Sequence, residues 1–489
     1  MPMLQLITLG VLIYAIWTVI YNRYVHSLSQ YPGPFLASIS RLPHASAYIS
    51  GRLHTYAKSL HEQYGDVVRI APDELSFRTE QAWKDIYGFS TNFPKDPRFF
   101  NVAKNGVSNI GVSPTDDIHR RQRRVLASAF SDTALKYQEH LLQGYVDTLI
   151  KKLHEEASAR STVDLVEWYT YTTFDFMAEY VYGESLSCLE DARYHPFVSM
   201  QFASVKAWTI LSMSKYLPLL SYPIKAIALY LYRDLFRTRA ANVTFTASKI
   251  SQRMERGQDP STPDYLSHVN SKQSLKAKMS EEEISANASF LMVAGSETTA
   301  TSLSGCTFLI LDSPDVHRKL VSEIRSRFQS SSEITFASVA TLPYLDAVLQ
   351  ESLRMYPPAP LGMPRVVPEG GATIVGKFVP GKTAVSVPHY ASYRSPTKFT
   401  QAHRFLPERW LMEEDEKYSG DDKDIIRPFS DGPRGCLGQS LAKAEMKLIL
   451  VNILWRFDLH LSPECSQWAD QKAFVVWAKK PLLTKLVIR

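Results

Sequence analysis

FSDGPRGCLG, residues 429–438, is a glycine-rich turn with one cysteine, Cys436, directly before a segment of helical periodicity. Apolar residues recur at helical spacing from Leu437 to Val451, so Cys436 is predicted to lie at or just before a helix N-terminus. Backbone N–H groups and the helix dipole favour a thiolate there, and Arg434 adds positive charge. A single thiolate in such a turn suits a metal ion whose other coordination positions are already filled. The alternative is a free cysteine in an ordinary helix-capping turn.

Length and composition indicate one large globular domain. The chain has 489 residues, and no linker, charge block, internal repeat or low-complexity tract divides it. Its formal net charge of +6 is modest and gives no indication of nucleic-acid binding. The four cysteines have no CxxC spacing, which argues against a zinc site and a disulfide framework and fits a reducing compartment.

The N-terminus has the composition of a membrane anchor. No charged side chain precedes Arg23, and Met3–Tyr21 is almost wholly apolar and long enough to cross a bilayer. No small-residue cleavage site follows, so we predict an uncleaved signal anchor with the main body on the cytosolic side. A buried core helix is the alternative. Tyr31–Phe35, with the sequence YPGPF, is then a stiff turn that cannot continue the helix.

His119–Arg124, with the sequence HRRQRR, is a dense basic run at the start of a predicted helix. His119 and Arg123 are one turn apart and therefore share a face of that helix. A solvated helix face explains the run most simply. A nucleic-acid interface would need more such patches, and the sequence has none.

Ser280, followed by three glutamates, predicts the N-cap of a long helix. Within it, Ala294–Thr299 (AGSETT) combines a glycine with three hydroxyl side chains, which are unfavourable in a helix interior. We therefore expect a local distortion of the kind found at functional sites. A polar helix face is the alternative.

Downstream segments predict one helix and one hairpin. Glu351 and Arg354 lie three residues apart on a predicted helix and face each other, as pairs on many solvated helices do. Thr373–Val387 predicts a hairpin whose turn contains Pro380 and Gly381. Residues 92–114 form a long irregular loop, and such loops are usually functional.

These segments together resemble the cytochrome P-450 family. The cysteine turn matches the haem-binding signature FxxGxRxCxG, and AGSETT matches the oxygen-activation motif. Glu351 and Arg354, with Arg409 in FLPERW, match the ExxR and PERF-type elements, and the order of motifs is that of the family. The resemblance implies that these three residues form a buried network that locks the cysteine turn, since a buried ion pair needs further bonds.

The resemblance implies that the cofactor is haem b, iron protoporphyrin IX, with Cys436 as the metal ligand. The cofactor-binding residues that it implies are Cys436, Arg123, His119, Arg365, Arg434, Phe429 and Gly438. His119 stands where many members of the family have tryptophan. Phe99 and Phe100 are candidates for the lining of the substrate pocket by their position in the loop.

The resemblance also implies a reaction. Thr298 and Glu297 would be the catalytic residues and would deliver protons to iron-bound oxygen. Electrons would come from NADPH through NADPH-cytochrome P-450 reductase, with cytochrome b5 as an optional second donor. The expected activity is O₂-dependent hydroxylation or epoxidation of an apolar small molecule. The alternatives are a haem-thiolate isomerase or dehydratase that needs no O₂, and a non-enzymatic haem-binding membrane protein.

The implied fold is mainly α with a small β region (α+β). We expect a transmembrane signal anchor at 1–22, a proline-rich hinge at 23–35 and the haem-thiolate catalytic domain at 36–489. The expected location is the endoplasmic reticulum membrane, single-pass, with the catalytic domain in the cytosol and no nucleic-acid partner. The segments HRRQRR, MVAGSETTA and FLPERW resemble those of filamentous-fungal members that modify secondary metabolites such as terpenoids and polyketides.

Overall fold

The computed structural model describes residues 2–100, 107–159, 162–257, 264–272, 278–412 and 416–489. Residues 101–106 of the predicted loop lie outside the described residues. The α-helices are α1 (Pro2–Ile20), α2 (Phe35–Ile39), α3 (Leu42–Ile49), α4 (Leu53–Tyr64), α5 (Glu80–Tyr87), α6 (Asp116–Leu126), α7 (Asp132–Ala159), α8 (Leu165–Tyr182), α9 (Cys188–Asp191), α10 (Pro196–Tyr216), α11 (Ser221–Leu231), α12 (Arg233–Glu255), α13 (Tyr265–Lys272), α14 (Glu281–Leu311), α15 (Pro314–Arg327), α16 (Phe336–Val339), α17 (Pro343–Met355), α18 (His389–Tyr393) and α19 (Gln439–Arg456).

The β-strands are short and lie in three small sheets. They are β1 (Val67–Ala71), β2 (Glu74–Phe77), β3 (Val163–Asp164), β4 (Arg365–Val366), β5 (Ala372–Ile374), β6 (Lys377–Val379), β7 (Ala384–Ser386), β8 (Phe457–Leu461) and β9 (Leu483–Ile488). The sheet orders are β1-β2-β7-β4, β3-β9-β8 and β5-β6. Within the described residues, the β2–β7 pair is parallel and the other strand pairs are antiparallel. The fold is therefore mainly α with a small β region, as predicted.

Helix α14 is the centre of the helical core. It has 31 residues, which corresponds to a length of about 46 Å, and it packs against α8, α17, α19 and α12. Its C-terminal half is buried on every face, and the helix α8 beside it is almost completely buried. A helix without an exposed polar face belongs inside a large core. The core thus holds in place the segment of α14 that carries the predicted catalytic residues.

The hairpin predicted over residues 373–387 had its turn at the wrong position. Strands β5 and β6 form the hairpin, and its turn is at Val375 and Gly376, which both have positive φ. A tight turn with positive φ at both central positions matches the twist of the two strands. Pro380 and Gly381 instead lead to β7, which pairs with β2 and β4 in another sheet.

The predicted transmembrane anchor is not confirmed. Among the described residues, no helix combines the length and the apolarity that are needed to span a membrane. The helix α1 nevertheless carries exposed large apolar side chains, among them Leu6, Leu12, Ile13 and Trp17.

Candidate active site

The cysteine turn closes on itself through backbone hydrogen bonds. The N–H of Cys436 donates to the carbonyl oxygen of Phe429 at 2.8 Å, across a short 3₁₀ helix over Gly432–Arg434. Gly438 is the N-cap of α19. The prediction that Cys436 lies just before a helix N-terminus is confirmed, because α19 begins three residues after it. Phe429 and Gly438 thus shape the turn from its two ends.

Cys436 has free surface, whereas Cys188, Cys306 and Cys465 are buried. Burial by the surrounding protein nevertheless raises the pKa of the Cys436 thiol, against the N–H of Gly438 and the charge of Arg123, which lower it. We had expected the helix start to favour the thiolate, but desolvation outweighs its effect and raises the pKa of the Cys436 thiol.

Helix α6 is attached to the cysteine turn at both of its ends. Near its C-terminal end, Arg123 donates to the carbonyl oxygen of Gly435 at 2.7 Å. At its N-terminal end, Asp116 accepts from Arg434 at 2.8 Å, and Arg434 also donates to the carbonyl oxygen of Ser113 at 3.2 Å. The structure therefore brings Arg123 and Arg434 together at the cysteine turn.

A cluster of buried cationic side chains lies beside this turn. Burial and the charge of Arg434 hold the pKa of His119 at about 3, so this imidazole is neutral. Burial lowers the pKa of Arg365 to about 10, and it lowers the pKa of Lys95 well below its ordinary value. Asp116 is the acid that faces His119 and Arg365. The cluster therefore holds more positive charge than the acid beside it can neutralise.

Arg365 is the least satisfied member of this cluster. It is 4% exposed, and its Nε has no hydrogen-bond partner within the described residues. Its guanidinium lies 5.4 Å from the centre of the Tyr87 ring. Lys95, which sequence reasoning missed, pairs with Arg365 in an isolated β-bridge and donates to the carbonyl oxygen of Gly111 at 2.5 Å. The local sequence of Lys95 does not distinguish it from a surface lysine. Only its neighbours in the cluster do, and they are distant in the chain.

The helix α14 begins as predicted. Ser280 caps it, and Glu283 returns the hydrogen bond in a capping box. The expected distortion over Ala294–Thr299 was wrong, because the helix runs without interruption to Leu311. Its hydroxyl side chains bond backwards to the carbonyl oxygens of the preceding turn, as Thr298 does to Ala294 at 2.7 Å.

The two predicted catalytic residues differ in their surroundings. Thr298 is half-buried. Glu297 is buried and forms an ion pair with Lys479, a residue that sequence reasoning also missed. The neighbouring Thr299 hydrogen-bonds to Glu445 on α19, the helix that follows the cysteine turn. This contact links the segment of α14 that carries the predicted catalytic residues to the helix that follows the cysteine turn.

The predicted network of Glu351, Arg354 and Arg409 is confirmed, and all three side chains are fully buried. Glu351 bonds to Arg354 at 2.7 Å and to Arg409 at 3.1 Å. Arg354 also donates to the carbonyl oxygen of Tyr393 at 2.8 Å, and the Tyr393 hydroxyl accepts from the N–H of Arg427 at 2.9 Å. Arg427 lies two residues before Phe429, so the network reaches the start of the cysteine turn.

Comparison with known proteins agrees with this geometry. The sequence profile of the Cytochrome P450 family matches residues 29–486. The chain belongs to the cytochrome P450 family. It is 41% identical over 479 residues to cytochrome P450 monooxygenase astJ of Aspergillus oryzae, covering 97% of this chain and 94% of that protein.

The alignments with two further relatives cover almost the whole of both chains. Averantin hydroxylase of Dothistroma septosporum is 41% identical over 484 residues, which is 98% of this P450 and 90% of the relative. Cytochrome P450 monooxygenase traB of Penicillium crustosum is 40% identical over 480 residues, with 96% and 93% covered. This P450 is therefore a haem-dependent monooxygenase that receives electrons from NADPH through a reductase.

The residues of this P450 fit haem b. The accessible thiol of Cys436 is the type of ligand that haem iron takes in this family, which is a standard example of thiolate ligation. The buried cations around Arg365 offer donors without enough anions to pair with, and the two carboxylates of the porphyrin supply anions of that kind. The cofactor would therefore complete both the metal ligation and the charge balance of this site.

Proposed function

We propose that this P450 hydroxylates or epoxidises an apolar small molecule, in particular a secondary metabolite of the terpenoid or polyketide type. The name of one relative, averantin hydroxylase, supports a hydroxylation. The proposal of an apolar substrate is supported by a cluster of apolar side chains. They come from separate segments of the chain, including α10 and the C-terminal segment. This cluster includes Tyr48, Phe99, Met213 and Tyr216, with Phe100 and Val475 packed against it.

Cys436 is the proposed iron ligand, and the observation that carries the assignment is its exposed side chain in the closed turn, since the other three cysteines are buried. When bound, the haem supplies the chemistry that activates O₂ and inserts one oxygen atom into the substrate. Phe429 and Gly438 shape the turn around the sulfur. Arg123 holds the carbonyl of Gly435 and adds positive charge near the thiol.

The haem carboxylates are the proposed partners of the buried cations. Arg365 is buried and Lys95 is half-buried, while Arg434 and Arg123 are partly held by α6 and the turn. His119 is neutral and can donate one hydrogen bond without adding charge. The carboxylates would offer an anion to the unpaired donor of Arg365 and would offset the repulsion among the cations of the cluster.

Thr298 and Glu297 are the proposed residues of proton delivery. The Thr298 hydroxyl proton is engaged by the carbonyl of Ala294, so its oxygen is left to accept a hydrogen bond from a water or a substrate hydroxyl. Glu297 is a carboxyl group one residue away, and it can hand protons to this region. This use of a proton relay favours a monooxygenase over an isomerase or dehydratase, and turnover without NADPH and reductase would favour those alternatives.

The ligand assignment is tested with purified protein that has been loaded with haem. Replacing Cys436→Ser is expected to abolish the thiolate Soret band of the reduced CO complex. Cys465→Ser is the matched control, because Cys465 is a buried cysteine outside the turn. An unchanged spectrum in the Cys436 variant would refute the assignment. Comparing the metabolites of a host that expresses the chain with those of a knock-out then identifies the substrate.

The proposed location is the endoplasmic reticulum membrane, with residues 36–489 as the catalytic domain on the cytosolic side and 23–35 as the hinge. The exposed apolar side chains of α1 support attachment, since an apolar surface of this kind is unfavourable in water. Fractionation of the full chain and of a variant without residues 2–20 tests this proposal. Both proteins in the soluble fraction would contradict it, and alkaline carbonate extraction separates an embedded chain from a peripheral one.

A further inference from the structure

Only one oxygen of the Glu297 carboxylate accepts hydrogen bonds within the described residues. Its Oε1 accepts from the ammonium of Lys479 and from the Thr301 hydroxyl at 3.3 Å, and Lys479 also donates to the Thr301 hydroxyl at 2.8 Å. These three groups form a closed triangle. The other carboxylate oxygen, Oε2, has no hydrogen-bond partner within the described residues although it is buried.

Lys479 is not a surface lysine that happens to reach a carboxylate. Its side chain is 5% exposed, and that of Glu297 is 7% exposed. Because a buried ammonium is costly without a partner, this pair has to be formed in the folded protein. The ammonium also lies 5.8 Å from the centre of the Phe202 ring on α10, so the lysine contacts two helices at once.

The segment that carries Lys479 is held on both sides. The Trp477 indole N–H donates to the carbonyl oxygen of Pro357 at 2.8 Å, and the carbonyl oxygen of Lys480 accepts from Trp468 at 2.8 Å. The N–H of Ala478 donates to the carbonyl oxygen of Lys472 at 2.8 Å. The position of the ammonium therefore follows from the fold of the C-terminal segment and not from the freedom of a long side chain.

We propose that Lys479 is a positioning residue for proton delivery: it fixes Oε1 of Glu297 so that Oε2 is the oxygen that accepts and releases protons. The proposal rests on the proposed role of Glu297 as the proton relay. A proton that leaves Oε2 is replaced by one from solvent water, and Lys479 keeps its own protons. Within the described residues, Oε2 is the unpaired atom of this triangle, which is why the transfer is assigned to it.

The first test is infrared spectroscopy of the haem-loaded enzyme at neutral pH, without turnover. In Lys479→Met, Glu297 remains buried without its counter-ion and is expected to take up a proton, which gives a carbonyl band of a protonated carboxyl. Because buried Glu445 is itself neutral near neutral pH, the Glu297 band is identified as an additional band in the difference spectrum against the wild type. This additional band should be absent from Lys479→Arg, which keeps the charge. It should disappear again in the double variant Lys479→Met/Glu297→Gln, and its persistence there, or its absence from Lys479→Met, overturns the pairing.

The second test separates positioning from a merely structural role. NADPH consumption by the enzyme with NADPH-cytochrome P450 reductase is measured in H₂O and in D₂O, without added substrate. Lys479→Met is expected to slow consumption about tenfold and to increase the H₂O/D₂O rate ratio, since proton transfer then limits the reaction. Lys479→Arg is expected to restore both values.

The outcomes distinguish the two proposals. Wild-type consumption and isotope ratio in Lys479→Met, with the same thermal stability as Lys479→Arg, would overturn the role of Lys479. Wild-type values in Glu297→Gln would instead overturn the proposed relay itself, whatever Lys479 does. A loss in Lys479→Met that Lys479→Arg does not restore would also count against positioning, because arginine preserves the charge and the donor.

Discussion

At the scale of single residues, the cysteine turn depends on one glycine more than on the others. Gly432 has a φ of +67°, and a Cβ on it would collide with the carbonyl oxygen of Tyr87 at the end of α5. The main chain of the turn therefore touches the main chain of α5, which only a residue without a side chain allows. Gly432 thus determines where the whole cysteine turn sits.

Replacing Gly432→Ala is expected to lower the melting temperature of the haem-loaded enzyme and to reduce its haem content. The reason is twofold, because alanine is strained at this φ and its Cβ displaces the turn from α5, at a cost of about 2–4 kcal/mol. Differential scanning calorimetry and absorbance of the haem measure the two effects. Gly420→Ala is the matched control, since no atom lies within 4 Å of a Cβ there. Equal melting temperatures in the two variants would contradict the argument.

At the scale of elements, the site depends on how α14 meets α19. Thr299 on α14 hydrogen-bonds to Glu445 on α19, and burial raises the pKa of Glu445 to about 8. One of its carboxyl oxygens, Oε1, has no hydrogen-bond partner within the described residues. Near neutral pH this contact between two core helices therefore favours a neutral carboxyl, because an ionised one would lack a counter-charge.

Replacing Glu445→Gln is expected to raise the free energy of unfolding at pH 7 by as much as about 3 kcal/mol, because the amide cannot ionise. The folded-state pKa of Glu445 lies above the unfolded value of 4.5, so ionisation costs the native state increasingly as pH rises from 4.5 to about 8. The gain should accordingly be larger at pH 8 than at pH 5. Melting temperatures at the two pH values measure it, and a variant less stable than the wild type at pH 8 would contradict this account.

At the scale of the whole molecule, the fold buries charged networks and neutral histidines together. Glu351, Arg354 and Arg409 satisfy one another in the core, at a place where a single unpaired charge would be strongly destabilising. His61 and His389 are equally buried, and burial holds the pKa of each at about 4. The same desolvation thus enforces pairing in one case and neutrality in the other.

Acid is therefore expected to destabilise this P450 through its buried histidines. In the unfolded chain, His61 and His389 bind protons below the ordinary histidine pKa of 6.5. In the folded protein they stay neutral down to about pH 4, so the free energy of unfolding falls as pH drops from 6.5 to about 4. Each such histidine contributes about 1 kcal/mol per pH unit. His389→Gln should reduce the drop in melting temperature between pH 7 and pH 5. His403→Gln, at an exposed position, is the control, and an identical drop in both variants would contradict the prediction.

The amino-acid sequence by itself determined the local parts of this protein: the cysteine turn before α19, the capped start of α14 and the order of the motifs. These depend on hydrogen bonds and side-chain spacing within a few residues, which a linear pattern records. It did not reveal the straight course of α14 through Ala294–Thr299. Hydroxyl groups in a helix can bond to the carbonyl oxygens of the preceding turn or disturb the helix, and the local sequence does not decide between the two. Only the tertiary structure decided that Lys95 joins Arg365 and that Lys479 joins Glu297. Those partners lie far apart in the chain, and desolvation of their charges acts only after folding has buried them together.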